Sequence, residues 1–229
     1  MTARFTPSNV PGVVTSFITM SDKAGVADGN DIHDEIDIEV VGKDVGAPQY
    51  NVFTFKTTHL EKGLHGGPLP VSIAPGVPHE YFIDWRSDMI SWGVDGQVLK
   101  SITRAASRSL TNAIPDHSPW FPVSPSVISF SIWDGSEPSF QEWSGGPIDW
   151  SKHDKVESKF EWIDIQCYDS NNNPVQKWPA DSPDPYYNKE DQYKKYFKVD
   201  PNSAPRDSSI ITLTTISLVA SVIIRLVTI

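Results

Sequence analysis

Along this chain, apolar and polar positions alternate with a period of two far more often than they recur with a helical period. The clearest stretch is residues 35–40, where Glu35, Asp37 and Glu39 point one way and Ile36, Ile38 and Val40 the other. Residues 50–57 alternate around Asn51, Phe53 and Phe55, and residues 127–133 alternate again. Residues 81–85 and 90–94 read as strands, with Asp95-Gly96 turning the second tightly into residues 97–102. Shorter runs at 15–19 and 160–168 complete the series. Residues 25–31 are a loop by their Gly, Asp and Asn content, and residues 63–78, with four Gly and four Pro, are expected to be loop throughout. Strands at this spacing predict an all-β chain, an antiparallel sandwich or barrel. Only the tract 186–197, rich in Tyr and Lys, is read as a short helix packing its aromatics on the sandwich.

Composition narrows the class. Nineteen Pro and fourteen Gly against three Met in 229 residues suit many turns and short strands. With 38% hydrophobic and 21% charged residues, the chain is too apolar for disorder and too polar for a multi-spanning membrane protein. A formal net charge of -10 argues against a nucleic-acid binder, which needs a basic face. The single cysteine, Cys167, excludes an intramolecular disulfide framework and a multi-cysteine zinc site, and reads as a small buried hydrophobe. The histidines, His65 and His153 included, lack metal-like spacing and read as surface residues.

Both ends carry information. The amino terminus has no apolar run long enough for a secretory signal. Residues 210–229, by contrast, read IITLTTISLVASVIIRLVTI, apolar or Ser/Thr except for Arg225. About twenty such residues suffice to cross a hydrocarbon core of about 30 Å as a helix. Three readings compete: a retained tail anchor, a removable glycosylphosphatidylinositol signal, or a buried core element. Asn202-Ser203-Ala204 offers the small residues an anchor signal needs, although the spacer 205–209 is shorter than the usual run of about 8–12 residues. The chain thus divides into a domain at 1–178, a Pro-rich polar linker at 179–209 and the apolar tail at 210–229.

The acidic strand is where the chemistry points. Three carboxylates on one face repel one another, and burying any of them unpaired costs several kcal/mol. They are either the wet face of an exposed edge strand or a built site. As a site, Glu35 and Glu39 lie about 13 Å apart at Cα and lean together toward the spacing at which carboxyl pairs cleave glycosidic bonds. Asp37 between them separates their protonation by repulsion or by sharing a proton.

His33-Asp-Glu-Ile-Asp-Ile-Glu39 resembles the Glu-x-Asp-x-Glu signature of glycoside hydrolase family 16, and its surroundings resemble the fungal Crh-type chitin–glucan transglycosylases. The likeness continues through Val10 to Asp22, Gln49-Tyr-Asn-Val-Phe53, His79-Glu-Tyr-Phe-Ile-Asp-Trp85 and Ile90-Ser-Trp-Gly-Val-Asp-Gly96. Ser129-Phe-Ser-Ile-Trp-Asp-Gly135, Glu142-Trp-Ser-Gly-Gly146 and Ile148-Asp-Trp150 follow in the same order. The resemblance implies a concanavalin A-like β-jelly roll of two curved antiparallel sheets. It implies Glu35 as nucleophile, Glu39 as general acid/base and Asp37 as the residue that holds the nucleophile. It further implies a retaining hydrolase or transglycosylase of β-glucan or chitin, with no cofactor and no metal. The partner is a polysaccharide, and the protein is expected as a monomer at the cell wall, membrane-anchored through its tail. Trp133 and Trp143 are expected as sugar platforms, with Gln49 and Asn51 bonding sugar hydroxyls; Trp85, Trp92, Trp150 and Trp162 are expected in the core. A non-catalytic, lectin-like wall protein is the alternative. The chain lacks the family's disulfide cysteines and starts almost at the first conserved block, so an amino-terminally truncated product is expected.

Overall fold

The computed structural model describes residues 1–21, 34–54, 63–109, 121–122, 126–169, 171–175, 211–212 and 220–226. The expected loop at 25–31, the helix at 186–197, the linker at 179–209 and most of the tail lie outside them. The strands are β1 (Thr2–Thr6), β2 (Val13–Ser21), β3 (Asp34–Val41), β4 (Gln49–Thr54), β5 (Gly63–Pro68), β6 (His79–Trp85) and β7 (Met89–Val94). They continue as β8 (Gln97–Thr103), β9 (Ser126–Asp134), β10 (Lys159–Asp164), β11 (Cys167–Tyr168), β12 (Pro174–Val175), β13 (Ile211–Thr212) and β14 (Ala220–Leu226). Among the described residues two short α-helices, α1 (Arg104–Ser109) and α2 (Gln141–Ser144), and a 3-10 turn at Gly42–Asp44 interrupt them.

Two six-stranded antiparallel sheets form, ordered β13-β10-β1-β6-β7-β8 and β14-β9-β2-β3-β4-β5, and β11 pairs with β12 in a small hairpin. The core lies between the sheets. Phe17, Ile36, Ile38, Val40, Val52, Ile128 and Phe130 from the second sheet meet Ala3, Phe5, Tyr81, Ile83, Ile90, Trp92 and Phe160 from the first. Each such large apolar side chain contributes about 1.5–3 kcal/mol by leaving water. Aromatic rings tie the layers together: Phe5 stacks on Tyr81 at 4.0 Å and meets Phe17 edge-on at 6.5 Å, and Phe17 stacks on Phe130 at 5.1 Å. Because Ile36, Ile38 and Val40 belong to this core, the alternation of β3 turns its acidic positions to the opposite, outer face of the second sheet.

Two expectations change. Residues 63–78 are not loop throughout: Gly63–Pro68 is the strand β5, paired with β4. A Cβ on Gly66 would lie 1.5 Å from the Tyr50 carbonyl oxygen, so glycine is what lets the backbones approach. Residues 160–168 are two strands rather than one, since pairing breaks between β10 and β11. In the tail, Ala220–Leu226 runs antiparallel to β9, from Ala220 opposite Ile132 to Leu226 opposite Ser126. Among the described residues no helix is long and apolar enough to cross a membrane.

Candidate active site

The acidic strand is not an edge. β3 lies between β2 and β4, so the exposed-edge reading fails. Register places Ser16 and Gln49 on either side of Glu39, Ile18 and Asn51 on either side of Asp37, and Met20 and Phe53 on either side of Glu35. Directly opposed residues share a face, which gathers the carboxylates with Ser16, Gln49 and Asn51 on one patch.

The three carboxyls differ in environment. Asp37 is 2% exposed, and its Oδ1 has no hydrogen-bond partner among the described residues. Burial first, then the charges of Glu35 and Glu39, hold its pKa well above the usual carboxylate range, and it hydrogen-bonds Glu35 through its own proton. Its surroundings therefore favour the protonated form of Asp37, which stands between two acids. Burial also pushes Glu39 up to about 7, helped by the charge of Glu35 and opposed by hydrogen bonding from Ser16 and Trp133. The Ser16 hydroxyl donates to Glu39 Oε1 at 3.0 Å, and the Trp133 indole N–H donates to Ser16 Oγ at 2.9 Å.

Aromatic rings flank this patch. Trp133 and Trp143 stack with centroids 5.8 Å apart and planes 27° apart, and Phe140 meets both edge-on. Trp143 belongs to α2, which is clamped to the sheet end by backbone contacts. Gly12 N–H donates to the Ser144 carbonyl at 2.9 Å, the Ser144 hydroxyl donates to the Gly135 carbonyl at 2.7 Å, and Gly135 N–H donates to the Gly12 carbonyl at 2.8 Å. Gly12 has φ +88 and a Cβ there would press on Ile148, so the clamp requires glycine. The Lys43 ammonium caps the Glu142 carbonyl, joining the end of β3 to the same turn. A cavity of about 230 Å³ opens between them, lined by Glu39, Gln49, Tyr50, Asn51, Gly66 and Trp143.

A concave, aromatic-flanked carboxylate set of this kind invites comparison with known enzymes. The family model described as glycosyl hydrolases family 16 matches residues 1–152. The chain belongs to glycosyl hydrolases family 16. Crh-like protein 3 of Botryotinia fuckeliana is 34% identical over 182 residues, covering 75% of this chain and 37% of that protein. The beta-glucanase of Bacillus subtilis is 33% identical over 142 residues, covering 62% and 48%. Among solved structures, an apo Crh5 transglycosylase superposes with a TM-score of 0.52 at 28% identity, over 66% of this chain and 56% of that one. The two-sheet sandwich is the jelly roll expected from the sequence. The chain spans roughly a third to a half of the length of these curated relatives.

Within this family 16 domain, the structure brings Glu35, Asp37, Glu39, Gln49, Asn51, Trp133 and Trp143 together. Two of them have a prior engagement. Gln49 Oε1 accepts the Trp143 indole N–H at 2.9 Å, and Asn51 Oδ1 accepts the backbone N–H groups of Val52 at 3.0 Å and Gly66 at 3.1 Å. Asn51 keeps only its NH₂ for a sugar, while Gln49 keeps its NH₂ and one lone pair of Oε1. Of the tryptophans expected in the core, Trp92 is there at 0% exposure, but Trp150 and Trp162 are 47% and 43% exposed. Trp162 opposes Arg4 where the β1–β10 register shifts, and that shift turns it outward. Cys167 is half-buried rather than buried. His153 is half-buried, and the side chain of His65 lies outside the described residues. Ser16 was missed from sequence: a serine in an apolar strand carries no local signal, and only the register opposite Glu39 gives it meaning.

Proposed function

We propose that this domain is a retaining enzyme of β-linked cell-wall polysaccharide, hydrolysing it or transferring its glycosyl unit. The observation that carries the reading is the placement of Glu35, Asp37 and Glu39 together on the outer face of the internal strand β3, beside a cavity lined by Glu39, Gln49, Asn51 and Trp143. Glu35 attacks the anomeric carbon and forms a glycosyl ester, while the Glu39 carboxyl gives its proton to the departing glycosidic oxygen. Glu39, now a carboxylate, takes the proton of a water or an acceptor sugar hydroxyl, whose oxygen displaces Glu35. A group near pKa 7 serves both directions, and Asp37 steadies the nucleophile by its hydrogen bond. Trp133 and Trp143 offer faces for pyranose rings. Likeness to a beta-glucanase and to a Crh5 transglycosylase solved with NAG supports β-glucan or chitin as the substrate class.

Mass spectrometry of products from laminari- and chito-oligosaccharides tests this. Products longer than the donor establish transfer, and shorter ones alone establish hydrolysis. Glu35→Gln is expected to stop turnover while preserving oligosaccharide binding; undiminished turnover in that variant would overturn the reading. A cell-wall location follows from the same likeness, with the tail as anchor. Pairing of Ala220–Leu226 with β9 and membrane attachment are mutually exclusive uses of that segment. Release of protein lacking residues 210–229 by a phosphatidylinositol-specific phospholipase supports the lipid anchor, and protein found only in the soluble fraction counts against either anchor.

A further inference from the structure

We propose that Ser16, held in one orientation by the indole of Trp133, decides which oxygen of Glu39 carries the catalytic proton, and so is a positioning residue of the acid/base. The inference rests on the acid/base role proposed for Glu39.

Ser16 is 2% exposed and stands directly opposite Glu39 on the neighbouring strand. Among the described residues its hydroxyl makes two contacts, Trp133 Nε1 at 2.9 Å and Glu39 Oε1 at 3.0 Å. An indole N–H donates and cannot accept, so the bond to Ser16 runs from Trp133, whose one hydrogen is shared between the Ser16 hydroxyl and the Glu39 carboxyl beside it. The single hydroxyl hydrogen then goes to Glu39 Oε1, its acceptor among the described residues; any other direction buries an unused donor. With Oε1 engaged as an acceptor, the proton of the neutral Glu39 carboxyl resides on Oε2. Proton delivery is thereby confined to one oxygen, and no rotation of the carboxyl is needed to present it. Once the proton has left, the carboxylate already holds its hydrogen bond from Ser16, which favours the step against the pull of burial. Trp133 acquires a second role, its ring flanking the cleft and its N–H setting the relay.

The surroundings leave few competing charges. From its own strand Glu39 faces Glu35 and Asp37. β4 offers the neutral Gln49 and Asn51, α2 adds the Trp143 indole, and β9 contributes Ser131, opposite Ser16, and Trp133; Tyr50, opposite Ile38, turns its ring into the core against Trp92. The nearby ammonium of Lys43 is committed to the Glu142 carbonyl.

The test is the pH profile of kcat/KM for the full chain, on a natural oligosaccharide and on an aryl glycoside with a good leaving group. Wild type is compared with Ser16→Ala, Ser16→Thr, Trp133→Phe and Glu39→Gln. Ser16→Ala removes the bond that favours the carboxylate, so the basic limb is expected to move up by roughly half to one pH unit. The rate on the natural donor should fall by about tenfold, while the aryl donor, which needs little protonation, is nearly unaffected. Ser16→Thr restores the hydroxyl and should restore the limb, and Trp133→Phe should move the limb in the same direction as Ser16→Ala. An unmoved or lowered limb in Ser16→Ala, or equal losses on both donors, overturns the proposal; thermal melting of Ser16→Ala checks that the fold is intact. Glu39→Gln separates the two readings. If it loses both donors equally, the acid/base role falls and the Ser16 proposal falls with it. If it spares the aryl donor while the limb of Ser16→Ala stays fixed, only the Ser16 proposal falls.

Discussion

Glu39→Gln is expected to make the protein more stable at alkaline pH and to leave it nearly unchanged in acid. In the folded chain burial lifts Glu39 from 4.5 to about 7, so the native state holds a proton that the unfolded chain has lost anywhere between those values. Its contribution to stability is fully present below about pH 4.5, declines as pH rises through the window and is gone above about pH 7. A shift of that size corresponds to about 3 kcal/mol, at 1.36 kcal/mol per pH unit. Glutamine cannot ionise and keeps an oxygen to accept the Ser16 hydroxyl, so the variant escapes this loss. Removing the charge also relieves Asp37, which acts in the same direction. Urea denaturation of both proteins at pH 4 and pH 8 measures the effect, and the difference between the two cancels titrations elsewhere in the chain. The gap should be within about 0.5 kcal/mol at pH 4 and should approach about 3 kcal/mol in favour of the variant at pH 8. A gap that does not depend on pH, or one of opposite sign, would refute the raised proton affinity and with it the physical basis of the acid/base role.

Trp143→Ala removes a ring from the aromatic wall and frees Gln49 Oε1; oligosaccharide affinity should fall about tenfold by calorimetric titration, in line with about 0.5–1.5 kcal/mol for one stacked ring. Ser144→Ala leaves the buried Gly135 carbonyl without its donor, costing about 1–3 kcal/mol in urea unfolding, with substrate affinity weakening because α2 loosens. Gly66→Ala forces a methyl into the Tyr50 carbonyl and should detach β5, visible as faster amide exchange across residues 63–68 and loss of binding with the core intact. Phe17→Ala empties the junction where Phe5, Phe17 and Phe130 meet and should cost about 3–5 kcal/mol by the same unfolding assay.

Much of the sheet was readable because strand periodicity is local. Ile36, Ile38 and Val40 announce a buried face, and Asp95-Gly96 announces a hairpin, without reference to anything distant. The acidic positions of β3 were visible for the same reason, and so was the order of the conserved blocks. The misses share the opposite cause. β5 carries almost no side-chain pattern, because what makes it a strand is the space its glycines leave beside Tyr50. β1, only five residues long, gives a signal too short to separate from chance, although Ala3 and Phe5 are fully buried. Trp162 faces solvent because the pairing of β1 with β10 shifts by one residue, and that shift is a property of two strands about 150 residues apart.

The site divides along the same line. Sequence alone determined which residues have the chemistry, since a Glu-x-Asp-x-Glu strand puts three carboxylates on one face whatever lies beside it. Only the tertiary structure decided what those carboxylates are. Placing β3 inside the sheet buries Asp37 and raises its proton affinity; bringing Ser16 and Trp133 across from β2 and β9 gives Glu39 Oε1 its hydrogen bond; folding α2 back ties Gln49 to Trp143. Burial and register are relations between segments far apart in the chain, and proton affinity follows from them, so no reading of one segment could supply it.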